Sequence, residues 1–386
     1  MHILIALTYY RPHYSGLTIY AEREARALAK RGHKVTILTS RYDEILPAYE
    51  KKDGVEIIRL DVWLRISKGV IMPSMPIKAW EIVHSADIVH LHAPQLDAAL
   101  IALVSRILGK PVVLTYHCDL RTPKGFIHSV ASGFLNCANH ITALAAQAIV
   151  HNTWDYAEHS PFLRRYIEKI HPIYPPIEIG EVKQDVMDAF RERFQIQPDQ
   201  RIIGMAARLA TEKGVEYLAQ ALPLVRESIP QARTLFVGPF QNVVGEEKYA
   251  RHLTPLIESL GDGWTFLDVL TPDEMACFFQ VCEVLVLPSI NSTESFGMVQ
   301  VEAMAYGTPV VASDLPGVRV PVNETHMGII VPPENPVEIA QAIIKILEQP
   351  ERFRGTPDAL LPLTTADAVT RAYEELFLAL VEQSKD

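Results

Sequence analysis

The sequence lacks the marks of several protein classes. It has only four cysteines in 386 residues, and no two of them form a CxxC pair, so a zinc-finger spacing or a disulfide framework is excluded. The cysteines are Cys118, Cys137, Cys277 and Cys282. No GxGxxG stretch occurs, which argues against a dinucleotide-dependent oxidoreductase. The longest apolar runs, 98–109 and 141–150, are too short or too interrupted to cross a bilayer, and the first residues do not resemble a signal peptide. We therefore expect a cytoplasmic protein with reduced thiols.

Positive charge is also scarce. The net charge is −10, which argues against nucleic-acid binding. Residues 1–178 nevertheless contain 20 Lys and Arg against 16 Asp and Glu, whereas the remainder contains 16 against 30. The first half is therefore expected to meet an anionic partner, such as a phosphorylated acceptor or a membrane surface. Ordinary surface variation between two domains is the alternative.

Apolar strands alternate with amphipathic helices along the chain, which predicts an α/β fold with parallel sheets. A strand–helix–strand pattern in the first half restarts at residue 201, and this repeat predicts two Rossmann-like domains. The predicted strands are 2–7, 34–40, 55–60, 87–93, 111–117, 140–144, 233–238 and 283–289, with a strand and loop over 201–209, and the predicted helices include 17–31, 214–229 and 366–383.

The Pro-rich segment 171–180 is predicted to join the domains, because proline stiffens an extended connector. The first domain is then 1–178 and the second 179–365. The last helix, within 366–386, can pack on either domain.

Two cations follow the first strand of the second domain. Arg208 and Lys213 would lie at the carboxyl edge of a parallel sheet, where ligands bind in open α/β folds. The arginine guanidinium can donate hydrogen bonds to two phosphate oxygens at once, and lysine contributes a positive charge on a flexible side chain. A solvated loop is the alternative.

Two acids flank the start of an apolar helix. Glu294 lies in the loop after strand 283–289, and Glu302 lies one turn inside a helix that begins near Met298. The free amides at that helix start suit an anion. The acids need not form a close pair, since each can contact a different part of one ligand. A capping role for Glu294 and a salt-bridge role for Glu302 are the alternatives.

The first domain offers weaker signals. Gly16 directly precedes a predicted helix, so a ligand could approach the backbone closely there. His117, near Asp119, follows a predicted strand and is a better site candidate than His90 or His92. A buried structural histidine is the alternative for each.

Together these residues resemble the family 4 retaining glycosyltransferases (glycosyl transferases group 1) of the GT-B fold. The resemblance also covers "EREARALAKRGHKVTILTS", "ADIVHLHAP" and "AMAYGTPVVASDLPG". It implies two Rossmann-like domains whose parallel sheets face across a cleft, with the acceptor on the N-terminal domain and the nucleotide sugar on the C-terminal one.

The resemblance also implies roles for residues. Arg208 and Lys213 would hold the donor diphosphate, Glu302 the ribose and Glu294 the transferred sugar. The backbone of Phe296 and Gly297 would lie beside Glu294, the amides of Met298 and Val299 would face phosphate, and the base would lie near Val269 and Leu270. Gly16 and His117 would come from the first domain. The sequence departs from the family pattern in two places: the first loop has one glycine where many relatives have two, and "PPIE" (175–178) replaces a segment like "NGID".

The resulting hypothesis is retaining transfer of a hexose-type sugar from a UDP- or GDP-linked donor to a hydroxyl acceptor, which is a glycan, a lipid-linked molecule or a small molecule. Arg208, Lys213 and the helix start would stabilise the leaving group. No metal or other cofactor is expected, since no DxD-type cluster is present. A nucleotide-sugar 2-epimerase of the same fold and a catalytically silent binding subunit are the alternatives.

Membrane contact is a separate hypothesis. Segment 62–80 mixes large apolar residues with Arg65, Lys68 and Lys78, and a basic apolar segment can lie on the inner face of an anionic membrane. A mobile acceptor loop and core packing are the alternatives.

Overall fold

The computed structural model describes the chain except for residues 67–68, 121–125, 242, 244 and 385–386. The chain divides into two compact units. The first comprises Met1–Pro176 and Leu363–Asp386, and the second comprises Ile177–Pro362. Each unit is built around one sheet.

The first unit contains an eight-stranded sheet. Its order is β10-β9-β8-β7-β1-β2-β4-β3, and among the described strands of this sheet only β3 is antiparallel to its neighbour. A separate antiparallel hairpin pairs β5 with β6. The strands are β1 His2–Ala6, β2 Lys34–Arg41, β3 Tyr49–Lys52, β4 Val55–Asp61, β5 Leu64–Ile66, β6 Gly69–Ile71, β7 Ile88–Ala93, β8 Val112–Tyr116, β9 Ala148–His151 and β10 Ile170–Pro172.

The central strands of this sheet are buried along their whole length. β7 and β8 show no exposed residue, as expected for parallel strands covered on both faces. The helices that cover them are α1 Gly16–Lys30, α2 Met75–Ser85, α3 Ala98–Ile107, α4 Phe126–Ala145 and α5 Trp154–His159.

The C-terminal helix of the chain packs against α1 in the first unit. The hydroxyls of Tyr20 and Tyr373 lie 2.7 Å apart, and Arg31 donates to Glu374. Because Tyr373 and Phe377 are fully buried, the end of the chain completes the core of its first domain.

One predicted strand is wrong. Residues 140–144 form the last turns of α4, and the next strand, β9, begins at Ala148. A short apolar run is compatible with a buried strand and with the buried face of a helix. Here the preceding residues continue the helical spacing, so the run extends the helix.

The second unit contains a six-stranded, fully parallel sheet with the order β13-β12-β11-β14-β15-β16. Its strands are β11 Arg201–Ala206, β12 Ala232–Val237, β13 Trp264–Asp268, β14 Val284–Leu287, β15 Val310–Ser313 and β16 Gly328–Val331. The remaining helices of the chain are α6 Gln184–Arg193, α7 Val215–Ser228, α8 Glu247–Ser259, α9 Pro272–Val281, α10 Met298–Ala305, α11 Val320–Thr325, α12 Pro336–Glu348, α13 Leu361–Thr364 and, in the first unit, α14 Ala366–Gln383. The strand and loop predicted within 201–209 are confirmed, with the strand ending at Ala206. The strands predicted at 233–238 and 283–289 and the helix at 366–383 are confirmed as well.

Candidate functional site

The second sheet reverses its strand order between β11 and β14. From β11 the chain moves outward to β12 and β13, and from β14 it moves outward in the opposite direction to β15 and β16. The loops after β11 and β14 therefore run in opposite directions from the carboxyl edge of the sheet. The crevice between such loops is where open parallel sheets bind ligands. Arg208 and Lys213 lie in the first of these loops and Glu294 lies in the second.

Arg208 is held by the turn that carries it. Its Nη2 donates to Glu212 Oε1 at 3.0 Å, and its side chain keeps 28% of its surface exposed. The turn is tied down by Glu246, whose Oε2 accepts from the amide and the hydroxyl of Thr211. Arg208 is therefore a positioned cation with a face open to a ligand.

Lys213 contacts the other loop directly. Its Nζ donates to Glu294 Oε2 at 2.6 Å, and Ser289 Oγ contacts the same oxygen at 3.4 Å. Both side chains of the ion pair are largely but not fully buried. The structure thus brings together two candidate residues that lie 81 positions apart in the chain.

Gly214 allows this approach of the two loops. Its φ is +63°, and a Cβ atom there would lie 2.2 Å from the carbonyl oxygen of Pro288. The amide of Ile290 donates to the carbonyl of Glu212 in the same place. Any side chain at residue 214 would separate the loops that hold Lys213 and Glu294.

The helix start predicted near Met298 is confirmed. Gly297 precedes α10 with φ +78°, and no side chain caps the helix there among the described residues. Behind it, the buried side chain of Gln300 donates to the carbonyls of Phe296 and Val318. The hydrogen bonds of Gln300 therefore fix the loop that leads into α10. The amides of Met298 and Val299 lie at the start of this helix, an arrangement suited to binding an anion.

The remaining donor-site candidates lie at the same edge of the second sheet. Glu302 is buried in α10 with 7% of its surface exposed. Val269 and Leu270 follow β13, and Val269 is 41% exposed whereas Leu270 is buried. Asp268 ends β13, and its side chain accepts from the next amide, that of Val269, at 2.9 Å.

In the first unit, Gly16 is the first residue of α1. Ser15 is the residue that caps the helix, because its Oγ accepts from the amide of Thr18 while Thr18 Oγ1 accepts from the amide of Ser15. The prediction that Gly16 precedes the helix is therefore off by one residue. Its exposed backbone still lies at a helix start.

His117 follows β8 and is partly buried. Its Nε2 lies 2.9 Å from His92 Nδ1, and the ring of Tyr20 from α1 packs edge-on against it at 5.1 Å. Burial, with the neighbouring imidazole of His92 second, holds the pKa of His117 well below its usual value. The ring is therefore neutral at pH 7.

Two family models match the chain. The model described as Glycosyltransferase Family 4 matches residues 14–180, and the model described as Glycosyl transferases group 1 matches residues 186–355. The two matches closely follow the two structural units. The chain belongs to glycosyltransferase family 4.

Relatives of this family 4 glycosyltransferase match most of its length. An uncharacterized glycosyltransferase of Methanocaldococcus jannaschii is 26% identical over 347 residues, which cover 86% of this chain and 85% of the relative. A D-inositol 3-phosphate glycosyltransferase of Stackebrandtia nassauensis is 28% identical over 370 residues, which cover 89% and 82%.

Solved structures show that the fold is GT-B. HepE of Anabaena in complex with UDP and glucose matches with a TM-score of 0.79 at 19% identity, over 98% of this chain and 99% of that one. Sucrose-phosphate synthase from Thermosynechococcus elongatus matches with a TM-score of 0.76 at 22% identity and the same coverage.

Sequence reasoning missed three residues that support the candidate site. Glu212 and Ser289 bind its charged residues, and Gly214 brings its loops together. The signal for Gly214 was present, because glycine in a loop between a strand and a helix readily adopts the positive φ that a tight turn requires. Glu212 and Ser289 had no such signal, since their role depends on which side chains the fold places beside them.

One group of described residues could present metal-ligand atoms. It comprises Glu24, His90 and His92 in the first unit, all buried. It does not include any carboxylate of the second-unit site. The absence of a metal requirement in this glycosyltransferase stays a prediction.

Proposed function

We propose that the protein transfers a hexose-type sugar, with retention of anomeric configuration, from a UDP- or GDP-linked donor to a hydroxyl acceptor. The observation that carries the proposal is the convergence of Arg208, Lys213 and the open start of α10 at the strand-order reversal of the second sheet. The presence of UDP or UDP-glucose in structures of HepE supports a nucleotide-sugar donor.

The charges suit departure of a nucleoside diphosphate. As the bond between the anomeric carbon and the phosphate oxygen breaks, negative charge builds on the diphosphate and positive charge on the sugar. Arg208, Lys213 and the amides of α10 stabilise the leaving group. The acceptor hydroxyl attacks the face that the diphosphate leaves, and a departing phosphate oxygen takes its proton. No metal ion or other cofactor is part of this proposal.

The two acids contact different parts of the donor. Glu294 contacts hydroxyls of the transferred sugar, with Phe296 and Gly297 beside it, and Glu302 binds the ribose. Lys213 and Glu294 form an ion pair at 2.6 Å. When the donor binds, its diphosphate contacts the lysine and its sugar contacts the acid. The base lies against the backbone after β13, and Gly16 and His117 serve the sugar, the phosphate and the acceptor.

A panel of nucleotides tests the donor assignment. UDP, GDP and their hexose conjugates at 100 times their Kd are expected to stabilise the folded protein by about 2.7 kcal/mol, which appears as a higher Tm. The matching nucleoside monophosphates serve as controls, since they lack the second phosphate that Arg208 and Lys213 would share. If no nucleoside diphosphate or nucleotide sugar changes the Tm, a donor-binding function is ruled out and the silent-subunit alternative stands.

The stereochemical outcome is tested separately. A labelled α-linked nucleotide sugar and a hydroxyl acceptor are expected to give an α-linked product, as read from the anomeric proton coupling in NMR. A β-linked product would contradict retention. Turnover of the sugar without any acceptor would instead identify an epimerase.

The acceptor is proposed to bind the first unit. A cavity of about 390 Å³ lies beside the loop after β1 and is lined in part by Tyr10, Arg11, Tyr14 and Arg59. Arg11 and Arg59 also pair with Glu22 and Glu50. Such a mixed polar lining supports an acceptor with several hydroxyls, whether free or lipid-linked.

Contact with the inner face of a membrane is proposed for the segment 62–80. Trp63, Ile77 and Trp80 expose 74%, 74% and 49% of their surface, and Arg65 lies in β5. Lys78 pairs with Glu81, and Lys68 lies outside the described residues. None of the described helices has the length and apolar content to span a bilayer.

Vesicle sedimentation tests the membrane proposal. At low salt the protein is expected to sediment with anionic vesicles, and Trp80→Ser is expected to weaken binding about 10- to 100-fold, because removal of a large apolar side chain costs roughly 1.5–3 kcal/mol of burial. Trp154→Ser is the matched control, since Trp154 is 45% exposed outside this segment. Equal loss in both variants, or no sedimentation of the wild type, would contradict the proposal.

A further inference from the structure

Four polar atoms in the core of the first unit have no hydrogen-bond partner among the described residues. They are both carboxylate oxygens of Glu24, Nδ1 of His90 and Nε2 of His92. Glu24 lies in α1 and the two histidines lie in β7, and none of the three residues has any exposed surface. Buried polar atoms are almost always satisfied, so four such atoms in one place indicate that a binding partner belongs there.

The four atoms lie close together without forming hydrogen bonds. Glu24 Oε1 is 2.8 Å from His90 Nδ1, and Glu24 Oε2 is 3.5 Å from His92 Nε2. A carboxylate oxygen and the two ring nitrogens lie within 4.8 Å of one another. A hydrogen bond needs direction as well as distance, so the ring nitrogens do not point at the carboxylate oxygens closely enough to donate to them.

Neither water nor a proton can satisfy this group. The four atoms are buried beyond the reach of solvent, and a bridging water needs room for itself among two to four polar partners. A shared proton joins only two atoms, and it needs the hydrogen-bond geometry that these pairs lack. A bare metal ion is smaller than a water molecule and can contact all four atoms at once.

The charge of Glu24 favours a cation. In the described part of the chain, the two histidines are the basic side chains within ion-pair distance of its carboxylate, and no lysine or arginine is. A buried charge is normally paired with an opposite charge or bound to a metal ion. A divalent cation between the carboxylate and the two rings supplies that charge.

The set of ligand atoms suits zinc. Zn²⁺ binds imidazole nitrogens and carboxylate oxygens at about 2.0–2.2 Å, commonly with four ligand atoms. At those distances, two ligands 2.8 Å apart subtend about 85° at the ion, and two ligands 3.5 Å apart subtend about 115°. Zinc accepts such a spread, because its filled d shell imposes no geometry. Mg²⁺ fits less well, since it prefers oxygen ligands alone.

The other ring nitrogen of each histidine already has a partner. His90 Nε2 lies 2.7 Å from Thr115 Oγ1, and His92 Nδ1 lies 2.9 Å from His117 Nε2. Metal-binding histidines almost always make a hydrogen bond through their second nitrogen, which fixes the orientation of the ring. The nitrogens that remain, Nδ1 of His90 and Nε2 of His92, are the ones that lie beside Glu24.

We propose that Glu24, His90 and His92 bind one structural Zn²⁺ ion in the core of the first unit, with Glu24 contributing both of its oxygens. The ion joins α1 to β7 and stabilises the first unit. Because its ligands are buried, it binds as the chain folds. The proposal does not rest on the proposed function, and it adds no metal to the transfer reaction, whose donor residues lie in the second unit.

Metal analysis of the full-length protein, prepared without a histidine tag, tests the proposal. After expression with added zinc sulfate and dialysis against metal-free buffer, the wild type is expected to retain about one zinc ion per chain. Denaturant unfolding gives a second measurement. EDTA is expected to lower the unfolding midpoint of the wild type, because it captures the zinc that the unfolded chain releases.

Two variants remove the carboxylate, and a third is the matched control. Glu24→Gln and Glu24→Leu are expected to lose the zinc and to unfold at the same midpoint with and without EDTA. An apolar replacement of a buried acid need not unfold a protein, and the unfolding curve of Glu24→Leu verifies this. His151→Gln is the control, since His151 in β9 is equally buried and its Nε2 also lacks a hydrogen bond, but it is not part of the group. It is expected to retain the zinc.

Three results would overturn the proposal. One is a folded wild type without stoichiometric zinc, and another is zinc content that is unchanged in Glu24→Leu. The third is an equal loss of zinc in His151→Gln, which would place the ion elsewhere or show a general effect of substitution in the core. Absence of sugar transfer by a wild type that retains zinc would overturn the proposed function alone.

Discussion

Arg208→Ala is expected to lower kcat for sugar transfer by about 10²–10³-fold, the usual cost of losing one donor to a developing anion. The side chain lies at the strand-order reversal with 28% of its surface exposed, and it forms an ion pair with Glu212 at 3.0 Å. In the proposed site, removal of the guanidinium would leave the diphosphate with Lys213 and the helix start alone. Initial rates at saturating donor measure the effect, since saturation removes the contribution of weaker binding.

Arg226→Ala is the matched control for Arg208. Arg226 also pairs with a single carboxylate, Asp262, at 3.1 Å and is 33% exposed. It lies in the last turn of α7, which returns the chain to the start of β12 and so to the opposite edge of the sheet. Exposed ion pairs contribute little to stability, so both variants should fold. Near-normal transfer by Arg208→Ala would contradict its role in leaving-group stabilisation.

Gly214→Ala is expected to reduce the free energy of unfolding by about 3–5 kcal/mol. A left-handed φ costs an ordinary residue roughly 1–3 kcal/mol, and overpacking adds a similar amount. The added Cβ would lie 2.2 Å from the Pro288 carbonyl oxygen and 2.9 Å from Ile290 Cγ2. Denaturant unfolding measures the loss. Transfer should fall as well, because the loops that join Lys213 to Glu294 would move apart.

Gly261→Ala is the matched control, and it separates the cost of the left-handed φ from the cost of overpacking. Gly261 has a similar φ of +54°, but a Cβ there would meet no atom within 4 Å. Its substitution therefore carries the conformational cost alone, about 1–2 kcal/mol, with no effect on transfer. Equal losses in the two variants would show that contact between the loops does not constrain Gly214.

Much of the fold could be predicted from the sequence because its signals are local. Alternating apolar strands and amphipathic helices predicted two Rossmann-like units, and the boundaries of α14 matched the pattern 366–383. The start of α10 was predicted at Met298 because a glycine precedes an apolar helical run there. The error at 140–144 has the same origin, since a five-residue apolar run carries no period that separates a strand from the end of a helix.

The candidate site could be predicted only in part. Residue type and position after a strand pointed to Arg208, Lys213 and Glu294, whose assigned roles stay predictions. Nothing local indicated that Glu24, in the middle of α1, would meet His90 and His92 from β7. The i, i+2 spacing of the two histidines placed them on one face of a strand, but the partner on that face comes from a helix 66 residues earlier.

The sequence by itself determined most of the strands and helices, where charged residues follow the strands, and the family to which the chain belongs. These properties depend on neighbours within a few positions of one another. Only the tertiary structure decided that Lys213 binds Glu294, that Gly214 lets their loops touch, and that Glu24 lies beneath His92. Those contacts depend on strand order and on the packing of helices against sheets, which join residues that are distant in the chain and leave no local pattern in it.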